Sequence, residues 1–178
     1  MRNVILELRK TSEARTVTDW LKNLLNRTNI PVVLMGLQRS EDVLELNEQL
    51  RRRFSSRFSL KPFGFKTDDE ITSFRGLLGT IQDQLPMESC SLRDQSTAER
   101  FYYATGGLID YIAKIVDAAV QHAALAGQKY LDHGSYATAF NLAVWKDCPD
   151  DLNPFLNGTK LRPLTKKDQP FSFMTEWK

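Results

Sequence analysis

Apolar positions recur at intervals of three and four through much of the chain, broken by two short stretches where they run together. Val17, Trp20, Leu21, Leu24 and Leu25 form one stripe, which predicts an amphipathic helix between Ser12, its N-cap, and Thr28. Before it, Val4, Ile5, Leu6 and Leu8 make an apolar patch that fits either a truncated strand or a helix lead-in. The segment NIPVVLMGL is almost continuously apolar and bounded by Pro31 and Gly36, the pattern of a strand buried on both faces. Ser40 then caps a helix with stripe Val43, Leu46, Leu50 and Phe54, acids Glu41 and Asp42 in its first turn, and Arg51, Arg52 and Arg53 in its last. Phe58, Leu60 and Pro62-Phe63 suggest a second short strand. Thr67 with Glu70 three residues on reads as a capping box, opening a helix with Ile71, Phe74, Leu77, Leu78 and Ile81 that stops near Leu85-Pro86.

Beyond a polar loop around Cys90, the pattern is helical to about Val144. A short helix over 97–104 ends at Gly106-Gly107. A longer one carries Ile109, Ile112, Ile115, Val116, Ala119, Val120 and Ala123 up to Gly127, and a third spans about Ser135 to Trp145. The last residues hold Pro149, Pro154, Pro163 and Pro170, which forbid a long helix or a central strand. The expected organisation is therefore an α/β piece over 1–63, an all-helical piece over 64–146 and a Pro/aromatic tail over 147–178. The whole is mostly helical, with two or three short strands. In the tail, Phe155, Phe171, Phe173 and Trp177 are candidate partner-binding side chains; packing back onto the same chain is the equal alternative.

Composition narrows the field without choosing a function. At 178 residues, 42% apolar and 26% charged, the chain can bury an ordinary core, and its net charge of +2 does not by itself point to nucleic acid. Cys90 and Cys148 are far apart and lack the spacing of a zinc site or a disulfide framework, so no metal ligand is expected. His122 and His133 have no carboxylate or second histidine at ligand spacing and read as surface or packing residues; Ser55, Ser56 and Ser96 lack a nucleophile-elbow context. The N-terminus lacks a secretory h-region and nothing approaches a membrane span, so the expectation is a cytoplasmic protein with no membrane partner.

The densest charge lies in NEQLRRRFSSRFSLKPF, with four arginines between positions 51 and 57. Three readings compete. Arginines at a helix C-terminus complement its dipole with no further role. They are also suited to nucleic-acid phosphates, or to a phosphate on a neighbouring molecule.

The order of helix, buried VVLMGL, capped helix ending in QLRRRF, strand and helical bundle resembles the second half of an AAA+ ATPase of the transposition-regulator type, the TniB/TnsC family. The resemblance runs over about residues 10–145. TVTDWLKNLLNRTNIPVVLMGLQRSEDVLELNEQLRRRFSSRFSLKPF carries it, and GGLIDYIAKIVDAAVQHAALAG looks like the helical lid. It implies an α/β remnant of an AAA+ core followed by an all-helical lid. It also implies a nucleotide-dependent homo-oligomer on DNA, with transposase and targeting subunits of a transposon as partners, and ATP and Mg as cofactors of a complete family member. Through the QLxxRF pattern it makes Arg53 a trans arginine finger, directed at nucleotide on the adjacent subunit, and Gln38 a polar sensor candidate.

The sequence departs from the family in one respect above all. It has no Gly-x-x-x-x-Gly-Lys-Ser/Thr loop and no strand ending in an acidic pair. No cofactor-binding residue is assigned, and this chain alone is expected not to hydrolyse ATP. Where the family's lid places an arginine after a Gly-rich turn, Asp110 stands instead. The remaining alternatives are a non-enzymatic adaptor derived from the fold and a helical DNA-binding module.

Overall fold

The computed structural model describes residues 16–28, 31–36, 41–45 and 47–176. The chain forms two compact units, Met1–Leu60 and Lys61–Lys178. The described residues are mostly helical, with a single two-stranded parallel sheet.

In the first unit, α1 covers residues 16–27. Its predicted apolar stripe is only half covered: Val17 and Trp20 remain exposed while Leu21 and Leu25 are half-buried. Ser12, the expected N-cap, lies outside the described residues. The helix expected over 41–54 is two helices, α2 (Glu41–Glu45) and α3 (Glu48–Arg53). Asn47 makes the break: its Oδ1 accepts hydrogen bonds from the amides of Gln49 and Leu50 at 3.0 and 3.3 Å and so caps α3. Asn competes with the helix for backbone donors, which favours a new start over continuation.

Neither expected strand of this unit forms among the described residues. Residues 31–36 and 55–60 make no backbone ladder. Val33 is 82% exposed, Met35 93%, Phe58 92% and Leu60 96%. A strand is defined by hydrogen bonds to a neighbour, and apolar character alone cannot supply one.

The second unit follows local signals closely. α4 (Asp68–Gln82) starts at a complete capping box: the Thr67 hydroxyl accepts from the Glu70 amide, and a Glu70 carboxylate oxygen accepts from the amides of Lys66 and Thr67. α5 (Gln95–Thr105) ends at Gly106, and α6 (Ile109–Leu125) presents Ile112, Ile115, Val116, Ala119 and Ala123 inward. α7 (His133–Ala143) is capped by Asp132. The strands β1 (Glu88–Ser89) and β2 (Tyr130–Leu131) pair in parallel, far from the positions the pattern proposed.

The core is aromatic. Phe101 meets Tyr136 and Phe155 edge to face, with centroids 5.0 and 4.9 Å apart, a favoured quadrupole geometry. Phe155, Leu164 and Phe171 are fully buried in it, so residues 147–176 form a wall of this unit instead of a separate tail. Polar ties fix the wall. Asn153 Nδ2 donates to Ala137 O and Asn141 Oδ1, both at 3.0 Å, and Arg100 donates to Pro154 O and Leu156 O.

Gly107 lies in the left-handed region at φ 74°, and its carbonyl accepts from the Phe63 amide at 2.9 Å. A Cβ there would stand 2.1 Å from Phe63 O, so only glycine admits this approach.

Candidate functional site

The four clustered arginines, Arg51, Arg52, Arg53 and Arg57, are sorted by the carboxylates beside them. Glu45, in α2, receives two: Arg57 Nη2 at 2.7 Å from Oε1 and Arg51 Nη1 at 3.7 Å from Oε2. Arg52 pairs with Glu48 one turn earlier in α3, at the i,i+4 spacing. Arg53 is exposed and, among the described residues, has no carboxylate or hydrogen-bond partner. Exposed pairs like these add little to stability; their two carboxylates stand against four guanidinium groups, so the cluster stays net positive, and Arg53 is its one member without an acidic partner among the described residues.

The Asn47 cap bears on this arrangement. By restarting the helix, it sets Leu50 as the buried anchor of α3 while Arg51, Arg52 and Arg53 face solvent from the last turn. Glu48, in the first turn, is well placed for both the helix dipole and Arg52. The i,i+4 Glu48–Arg52 spacing was available in the sequence; the role of Glu45 was not, because it depends on the break at Asn47. Gln38, the sensor candidate, lies outside the described residues.

The Gly106-Gly107 turn does not fit a phosphate cradle. The space beside Gly106 is taken by Met174, whose Sδ would lie 2.8 Å from an added Cβ, and that beside Gly107 by the Phe63 carbonyl. Both glycines serve close packing within the chain. Asp110, at the start of α6, pairs with Lys114 at 2.7 Å. Among the described residues, no group of three or more His, Cys, Asp or Glu could hold a metal ion. Neither the Gly106-Gly107 turn nor Asp110 thus offers a phosphate cradle.

The tail aromatics divide. Phe155 and Phe171 are buried, which corrects their reading as partner-binding groups: with apolar side chains within reach of an open core edge, burial in the same chain wins. Phe173 is 45% exposed and stays available. Trp177 lies outside the described residues. Phe101, Tyr102 and Tyr111 pack in or against the core, as bundle-core residues.

The thiols are quiescent. Burial, reinforced by Asp132, pushes the Cys90 thiol up to about 11, and burial beside Asp151 and Asp150 does the same to Cys148. His133 donates to or accepts from the Thr97 hydroxyl at 3.2 Å; burial and the Arg100 charge hold its pKa below the usual histidine value.

An amphipathic helix, an exposed apolar run and a capped arginine-bearing helix make up the described part of the first unit. Residues 6–64 match the family model described as bacterial TniB protein. The matched segment contains α1 to α3 and the four clustered arginines, so this part of the chain is TniB-like. No curated protein matches the chain. Among the described residues, no helix is long and apolar enough to cross a membrane.

Proposed function

We propose that the chain acts as the C-terminal part of an AAA+ transposition regulator, contributing Arg53 in trans to a nucleotide held by an adjacent subunit. The observation that carries this reading is that, among the described residues, Arg53 alone of the four clustered arginines has no acidic partner. A guanidinium is permanently charged and rigidly forked, suited to a phosphoryl group. Such a group supplied by a neighbour is worth about 10³ to 10⁵ in hydrolysis rate. On this reading the chain's contribution is made through assembly with subunits that bind ATP and Mg.

The exposed runs 31–36 and 58–60 support the assembly half of this reading. Apolar side chains and unpaired backbone groups side by side are what a neighbouring strand would cover. On this reading the oligomer works on DNA, between target selection and transposase.

The test is ATPase activity of an intact TniB-type homologue mixed with the chain. Wild type should stimulate hydrolysis, Arg53→Ala should lose at least ten-fold of that stimulation, and Arg52→Ala should keep most of it. Equal stimulation by wild type and Arg53→Ala refutes the assignment and leaves the adaptor reading, which the exposed apolar runs favour in their own right.

A further inference from the structure

The loop 160–171 of the second unit carries a charge pattern unlike the rest of that unit. Lys160, Arg162, Lys166 and Lys167 fall within eight residues that contain no acid. Asp168 is the loop's one acid, and elsewhere in residues 61–178 nine Lys and Arg stand against fourteen Asp and Glu. The basic loop is thus a local reversal of sign on an otherwise acidic body.

It is also a built loop. Leu164 and Phe171 anchor it in the core, and the Phe171 amide donates to Leu164 O at 3.0 Å. Gln169 closes it from within: its Oε1 accepts from the Lys166 amide at 3.0 Å and from Arg162 Nη1 at 3.2 Å, while its own amide donates to Lys166 O. Asp168 takes a left-handed φ of 66° to complete the turn. Lys160, Lys166 and Lys167 are exposed, and among the described residues none pairs with a carboxylate. The exposed Phe173 and the Tyr111 ring, with Lys114 Nζ 5.1 Å from its centroid, adjoin the anchor Phe171.

We infer that this loop is a phosphate-backbone contact for duplex DNA, made by the helical unit independently of the arginine cluster. Ordering costs are already met by the fold, so the three lysines present their charges without first paying to fix the loop. Lysines are point charges on flexible stems, suited to a row of phosphates rather than to reading bases. The choice of DNA among polyanions rests on the transposition reading; the cationic loop itself does not.

Fluorescence anisotropy of the full chain with a labelled duplex, titrated with salt and without nucleotide or homologue, tests the inference. Three phosphate contacts contribute about 2.7 to the slope of log affinity against log salt, an extra loss of roughly 40-fold between about 50 and about 200 mM. Lys160→Gln/Lys166→Gln/Lys167→Gln should flatten the slope by about that amount with an unchanged melting temperature, while Lys129→Gln, an exposed lysine elsewhere, should reduce it by at most about 1. No binding by wild type, an unaltered slope in the triple variant, or binding of a poly-glutamate peptide in preference to DNA overturns it. Because nucleotide is absent, failure here is distinct from failure of the Arg53 assignment, which is read in ATPase stimulation.

Discussion

Substituting glycine by alanine at three positions separates three physical effects within one unit. Gly107 combines a left-handed φ of 74° with a Cβ position 2.1 Å from a backbone carbonyl; Gly127 has φ 68° and nothing within 4 Å; Gly76 lies in α4, also with nothing within 4 Å. Gly127→Ala meets only the left-handed penalty, about 1 to 2 kcal/mol. Gly107→Ala meets that penalty and must also displace Phe63, breaking the 2.9 Å amide–carbonyl bond, a further 0.5 to 1.5 kcal/mol or about that. Its total is roughly 1.5 to 3.5 kcal/mol. Gly76→Ala should stabilise by about 1 kcal/mol, since alanine is the better helix former and no neighbour objects. Urea unfolding followed by circular dichroism reads all three as shifts in midpoint at constant slope. Equal losses at Gly107 and Gly127 would refute the close approach of Phe63, and a loss at Gly76 would refute the open face of α4.

Phe155→Ala should cost about 3 to 5 kcal/mol because a fully buried ring leaves a cavity, whereas Phe173→Ala, half-exposed, should cost under about 1 kcal/mol by the same unfolding measurement. Stability should also fall with pH in two stages. His133 has a depressed folded pKa, so its contribution is present above the unfolded value of about 6.5 and is lost as pH drops through the folded value. Glu70 is depressed by the backbone bonds of the capping box, so its contribution is lost lower, as pH falls below about 4.5. Across pH 7 to about 3.5, the unfolding midpoint of His133→Gln should lose the upper stage, while that of Glu70→Gln should shrink the lower one, which Asp132, also held down by its cap bonds to Ser135, keeps in part.

What the sequence disclosed depended on the range of the interaction. The Thr67–Glu70 box, the inward stripe of α6 and its glycine stop at Gly127 are decided within a few residues, and all were readable. The break at Asn47 is local too, but the apolar spacing of Val43, Leu46 and Leu50 reads across it. The strands expected at 31–36 and 58–63 failed for the opposite reason: apolar character signals a wish for burial, and the ladder that makes a strand has to come from elsewhere. The real strands, two residues each, are fixed by pairing across about forty residues and leave no periodic trace. Phe155 belongs with them. Its place in the core is set by Arg100 and Asn153, partners that a Pro-rich segment gives no pattern to find. At the arginine cluster the residue types and spacing were legible, while the pairing that singles out Arg53 required the position of Glu45.

The wall formed by residues 147–176 also sets a timetable. Proteins fold from the N-terminus as they are synthesised. Here α4 to α7 can form as they emerge, yet the cavity between them stays open until Phe155, Leu164 and lastly Phe171 have been made. A nascent chain would expose Phe101, Tyr136 and Phe140 until Phe155 is made and Tyr111 until Phe171 is, and a stop codon placed anywhere before Phe171 would leave a helical unit missing one of its sides rather than a shorter protein with the same body.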